Sequence, residues 1–183
     1  MSFSLMGVGL SIGSKRLIEN INLAVQPGKM TAILGPNGAG KSTIFKVMAG
    51  EYQHYSGRMT LHDQPYSSIP SKLRAKMIGV LPQASQLAFS FSVFEVVILG
   101  RLPHNTGRKY DTQVAFQAMQ AADVEHLAFS HYPQLSGGEK QRVQMARVLC
   151  QIWDAPSEDE TQGQRYLLLD EPTSALDLSH QLL

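Results

Sequence analysis

An α/β fold is what this sequence predicts, and three observations predict it. Residues 30–34 (MTAIL) form a short apolar run of strand length. The glycine-rich turn Gly35-Pro36-Asn37-Gly38-Ala39-Gly40-Lys41-Ser42-Thr43 follows directly. Residues 43–49 then carry a helix pattern, with Gly50 standing where a helix stops. Strand, glycine turn and helix in that order are how α/β domains hold a phosphate group.

The remaining elements fit around this unit. Residues 17–25 (LIENINLAV) alternate apolar and polar, the period of a half-buried strand, and Pro27-Gly28 turns the chain into the buried strand expected at 30–34. Short strand-like pieces and a charged helix candidate at 71–77 occupy 57–81. Helical patterns dominate 91–128, interrupted by a loop at 103–107. Residues 139–150 (EKQRVQMARVLC) read as a helix, with Val143, Ala146 and Cys150 on one face. Residues 154–165 are polar, carry four acidic side chains and read as a solvated loop, and 166–169 (YLLL) are a buried strand ending at Asp170-Glu171.

Composition narrows the function. With 183 residues, 43% hydrophobic and 17% charged, the chain has material for one globular domain. Sixteen Lys and Arg against fifteen Asp and Glu leave a net charge of +1, which gives no support to bulk electrostatic binding of nucleic acid. The single cysteine, Cys150, excludes an internal disulfide, fits a reducing compartment and reads as a small buried hydrophobe. The longest apolar stretch, 89–99, is broken by Ser90, Ser92 and Glu95 and falls short of the ~20 residues a bilayer demands. The first residues lack the basic and cleavage features of a signal peptide.

The turn at 35–43 matches G-x-x-x-x-G-K-[ST] in full. Its glycines let successive backbone N–H groups point at one centre, an anion nest at a helix N-terminus. Lys41 supplies a point charge for the β- and γ-phosphates of ATP, and Ser42 a hydroxyl for Mg2+. Asp170, at the end of an apolar strand, is a second candidate ligand of Mg2+, and Glu171 a candidate to orient or deprotonate an attacking water.

A third motif, Leu135-Ser136-Gly137-Gly138-Glu139 followed by Lys140-Gln141-Arg142, resembles the signature of ATP-binding cassettes, the motor subunits of ABC transporters. Ser136 and the Gly137 and Gly138 amides open a helix and offer a second anion site. The resemblance implies that residues 136–139 serve in trans, closing on the γ-phosphate held by a sister subunit in a head-to-tail homodimer. It further implies that Gln83, in Val80-Leu81-Pro82-Gln83, is a catalytic glutamine touching Mg2+ or the attacking water, and that Asp177, in Ser174-Ala175-Leu176-Asp177, belongs to a loop crossing the dimer interface.

The resemblance covers nearly the whole chain. It implies a P-loop NTPase cassette with an antiparallel β subdomain and an inserted helical subdomain. The catalytic core is expected at about 1–83 and 165–183, the helical subdomain at about 84–150, and a loop insertion at 151–165. The family's switch histidine and closing strands are expected beyond Leu183, so the cassette is read as C-terminally truncated, with His180 an exposed helix residue. Where the family stacks adenine on an aromatic ring, this chain has Gly9-Leu10-Ser11-Ile12-Gly13; Phe3 stands too early, leaving an aliphatic contact from Leu10 or Ile12.

Residues 86–104, with LAFSFSV, Gly100-Arg101 and Pro103-His104, resemble the importers of iron chelates and vitamin B12, and with the 151–165 insertion are most similar to hemin importer ATPases. That resemblance implies a peripheral subunit on the cytoplasmic face of a bacterial inner membrane. Its implied partners are two transmembrane permease subunits and, indirectly, a periplasmic binding protein. His104, His126 and His131 are read as surface or core residues, not heme ligands. Alternatives are a ferric siderophore or cobalamin importer ATPase, a soluble cassette of DNA repair or translation, and a nucleotide-binding remnant without turnover.

Overall fold

The computed structural model describes residues 2–83, 90–153 and 164–170. The described residues divide into two compact units, 2–74 with 164–166 and 75–153 with 167–170.

The first unit is built on an antiparallel four-stranded sheet of order β2-β1-β3-β4, from β1 (Phe3–Ile12), β2 (Lys15–Val25), β3 (Ser56–Leu61) and β4 (Gln64–Pro65). In β1 the buried positions are Phe3 and Leu5, then Val8 and Leu10, so the two-residue period slips by one between them. A bulge absorbs the slip: the register on β2 shifts between Leu5 and Val8. Gly7 takes φ +60°, and its N–H donates to Asn22 Oδ1 at 2.9 Å. Gly57 of β3 comes so close to the Gly7 backbone that any Cβ there would collide with it. The core continues through Phe3, whose ring stacks on Tyr66 at 5.6 Å and meets Tyr166 edge-on. The Tyr66 hydroxyl donates to the Met48 carbonyl at 2.7 Å, and burial pushes its pKa up to about 12.

Helix α1 (Lys41–Ala49) buries Ile44, Val47 and Met48, and Gly50 ends it in the left-handed conformation, as its sequence predicts. Residues 30–34 depart from expectation. They join no sheet among the described residues, and Met30 and Leu34 are 98% and 90% exposed. An apolar run states a demand for burial, but a strand exists only where a neighbour offers backbone partners. None of the described strands offers them here.

The second unit holds the longer helices. Helix α2 (Ser71–Met77) carries the chain into it and leads to β5 (Ile78–Leu81), which pairs with β6 (Tyr166–Leu169) in a two-stranded sheet. Helices α3 (Val93–Ile98), α4 (Arg108–Ala121) and α5 (Gly137–Ile152) enclose a core that includes Val93, Val96, Val97, Val114 and Met119. Val143, Ala146 and Cys150 are fully buried in it, the face read from sequence, and Phe91 and Phe94 pack against it. No helix among the described residues is long and apolar enough to cross a membrane.

Candidate functional site

The nucleotide loop grows out of the first unit. Gly38 and Gly40 sit at φ +81° and +91°, a region costly for any side chain. A Cβ on Gly40 would also lie 2.7 Å from Ile18 Cγ2 and 3.1 Å from the Leu17 carbonyl oxygen. The last glycine of the motif therefore does two things: it reverses the backbone into α1 and lets α1 begin against β2. Ala39 N–H donates to the Pro36 carbonyl at 3.2 Å, and Ile44 N–H to Gly40 at 2.9 Å. Lys41 Nζ folds back across the turn, donating to the Gly35 and Pro36 carbonyls at 2.8 and 3.0 Å. A positive charge is thus pinned inside the curl, beside the open N-terminus of α1, where an anion gains from both. Asn37 and Ser42 are exposed, and Thr43 is half-buried.

The rings and aliphatic side chains near the start sort themselves by burial. Phe3 is fully buried and Leu10 is 4% exposed, so both belong to the core. Ile12 is 52% exposed at the end of β1. Of the residues considered for an adenine contact, Ile12 alone presents a surface.

In the second unit, the Asp170 N–H donates to the Leu81 carbonyl at 3.0 Å, which brings the C-terminal ends of β5 and β6 together. Gln83 lies two residues past Leu81 and is exposed. The structure thereby gathers Gln83 and Asp170 at one sheet end, although 87 positions separate them in sequence (170 − 83). Glu171 and Asp177 lie outside the described residues, as do Phe89 and His180. Among the described residues no group of three or more His, Cys, Asp or Glu is arranged to hold a metal ion. Ser42 in the first unit offers a hydroxyl oxygen and Asp170 in the second a carboxylate oxygen, each a hard donor of the kind Mg2+ takes.

The 135–142 motif opens α5 through a capping box. Glu139 N–H donates to Ser136 Oγ at 3.3 Å, while the Ser136 N–H and hydroxyl donate to Glu139 Oε2 at 2.7 and 2.6 Å. The Ser136 hydroxyl and then its backbone N–H hold the Glu139 carboxyl below its usual range. The spacing S-x-x-E spells this box in the sequence, and Ser92 with Glu95 repeats it at α3. Gly137 leaves open space where a side chain would stand, so the first amides of α5 can be approached.

Sequence patterning missed the polar cluster around Arg101. Arg101 is 4% exposed and donates to Asp111 Oδ1 at 2.8 Å, the Cys150 carbonyl at 3.1 Å and Thr106 Oγ1 at 3.0 Å. Burial pushes the Asp111 carboxyl up, but hydrogen bonds from Thr106 and Arg101 outweigh it and leave it lowered. His104, also buried, has its Nε2 2.7 Å from the Gln151 carbonyl. A lone Arg in an apolar stretch was the available signal.

Residues 18–174 match the family described as ABC transporter. The chain is 51% identical over 177 residues to the hemin import ATP-binding protein HmuV of Gloeobacter violaceus, covering 96% of this chain and 63% of that protein. It is 49% identical to HmuV of Pseudomonas aeruginosa, covering 92% of this chain and 64% of that one. The chain thus spans somewhat under two thirds of the length of these relatives. Among solved structures, a metal-chelate type ABC transporter in an inward-facing conformation superposes with a TM-score of 0.77 at 30% identity, over 98% of this chain and 63% of that one. CbiO1 of Clostridium perfringens, part of the ABC transporter complex cbiONQ, gives 0.75 at 31% identity, over 96% and 67%. With the family match extending over residues 18–174, most of its length, this chain belongs to the ABC transporter family.

Proposed function

We propose that this chain carries the ATP-binding and ATP-hydrolysing part of a hemin importer. The observation that carries the reading is the 51% identity to a hemin import ATP-binding protein along 96% of the chain, nucleotide loop and signature included. In this reading the 35–43 amides and Lys41 hold the β- and γ-phosphates, and Ile12 supports the base. Ser42 and Asp170 would hold Mg2+, which supplies charge neutralisation on the phosphates when bound. Gln83 and Glu171 orient a water, whose oxygen attacks the γ-phosphorus as the bond to the bridging oxygen of ADP breaks. The water proton passes to Glu171. Residues 136–139 serve a sister subunit's ATP, and Asp177 faces the same interface. The working assembly is a homodimer on two permease subunits at the cytoplasmic face of the inner membrane, fed by a periplasmic binding protein. We further propose that 1–83 with 165–183 form the catalytic core, 84–150 the helical subdomain and 151–165 a loop insertion.

The test uses the full-length gene product reconstituted with its permease in liposomes. ATP turnover should rise when hemin-loaded binding protein is supplied, and Lys41→Ala should lower it by about a hundredfold or more. A rise only with a ferric siderophore or cobalamin would replace the hemin assignment, a second reading favoured by the likeness to a metal-chelate type transporter.

A further inference from the structure

The last turn of α5 is tied to several other segments of the second unit. The Gln151 side-chain amide donates to the Ala75 carbonyl at 2.6 Å and the Ile78 carbonyl at 3.1 Å. Both hydrogens of one amide are used, and both acceptors are more than seventy residues away. Ala75 lies in the last turn of α2, where helix carbonyls lack partners of their own, and Ile78 opens β5. On the other side, the Gln151 carbonyl faces His104 Nε2 at 2.7 Å, and the Cys150 carbonyl accepts from Arg101 at 3.1 Å. Gly100 packs so tightly on this turn that a Cβ there would collide with the Arg147 carbonyl.

Packing alone would hold α5 near β5, since a Cβ on Gly79 would lie 2.6 Å from Val148 Cγ1. Apolar contact is non-directional, however, and lets a helix slide along a strand. Two hydrogen bonds of fixed length and angle from one side chain do not. What they fix matters for both halves of the site. The helix, capped by Ser136, runs 16 residues from Gly137 to Ile152, about 24 Å, with Gln151 in its last turn. The strand it grips runs directly to Leu81, which holds Asp170, and on to Gln83.

We infer that Gln151 is a positioning residue: through Ala75 and Ile78 it sets β5, which leads to Gln83 and whose Leu81 carbonyl holds Asp170, in register with the helix that opens at the signature. It touches no reacting atom and acts through β5. The inference rests on the proposed function, because it needs Gln83 and Asp170 to take part in ATP turnover.

The experiment measures ATP turnover of the full-length protein with its permease. Gln151→Met keeps the shape and loses both donated bonds. Gln151→His keeps a ring N–H at similar reach. Gln144→Met is the control: Gln144 bonds Tyr132 Oη at 3.0 Å and receives Arg147 Nε at 2.8 Å, inside the same helix core but away from β5. Gln151→Met should lower kcat by about fivefold or more while leaving KM for ATP within about twofold, since the nucleotide loop is untouched. Gln151→His should recover most of the loss, and Gln144→Met should leave kcat near wild type. Unchanged kcat in Gln151→Met overturns the inference. So does a loss of kcat that merely follows loss of folded protein, judged by melting temperature, or one that Gln144→Met reproduces. A wild-type protein without turnover removes the proposed function and the inference with it. Normal wild-type turnover with an indifferent Gln151→Met removes the inference alone.

Discussion

Gly40 shows how far a single residue type can be forced. Its φ of +91° excludes most side chains, and the 2.7 Å approach to Ile18 Cγ2 excludes a Cβ even at a permissive angle. Gly40→Ala should therefore cost about 1–3 kcal/mol of stability, measurable as a drop in denaturation midpoint, and weaken nucleotide binding. Unaltered stability would show that the loop reshapes freely. Ile12 is the opposite case, an exposed position with room to change. If it supports the base, Ile12→Tyr should tighten ATP binding by roughly fivefold, since an aromatic face adds about 1 kcal/mol over an aliphatic one. Titration with a fluorescent ATP analogue reads this directly, and unchanged affinity would remove Ile12 from the site. The glycine loop was legible in the sequence because its constraint is local. The burial of Leu10 was not, because the β1 bulge changes which positions face inward, nor was the exposure of Ile12, which shares Leu10's parity but stands at the end of the strand.

At the level of elements, α3 and α5 begin with the same device, a serine cap answered by a glutamate three residues on. Glu95 is held low by the backbone N–H and then the hydroxyl of Ser92, and Glu139 by the hydroxyl and then the N–H of Ser136. Asp111, with Thr106 and Arg101, is lowered too. The sign follows: a carboxyl whose folded pKa lies below its unfolded value stabilises fully above the unfolded value, and that stability is lost as pH falls through the folded one. With ordinary values of 4.5 for Glu and 3.8 for Asp, helix-unit stability should be flat at neutral pH and begin to fall below about pH 4.5. Glu95→Gln with Glu139→Gln should flatten that fall, as followed by thermal melts from pH 7 to 3. A fall of the same steepness in the double variant would assign acid loss elsewhere. Both boxes can be read from S-x-x-E, whereas the Arg101 cluster cannot, because Asp111, Thr106 and Cys150 become its partners only when α4 and α5 close on it.

Across the molecule, what the sequence disclosed were groups whose partners lie within a few residues: the nucleotide loop, the signature turn, the α5 face of Val143, Ala146 and Cys150. What it withheld were meetings across long stretches of chain, such as Asp170 with Leu81 and Gln151 with Ala75. The 30–34 run belongs to a third kind, where composition was read correctly and circumstance was not. Its apolar residues ask for a sheet, yet no described strand pairs with them. The run leads straight into the phosphate loop, which is then steadied from one flank, by Gly40 against Ile18 and by the first turn of α1. If nucleotide binding orders the run together with the loop, Met30 and Leu34 would leave water along with the ligand. Calorimetry should register this as a heat-capacity decrease on binding larger than a polar triphosphate alone would produce. In that case binding strength would vary with temperature through Met30 and Leu34 as well as through the phosphate contacts.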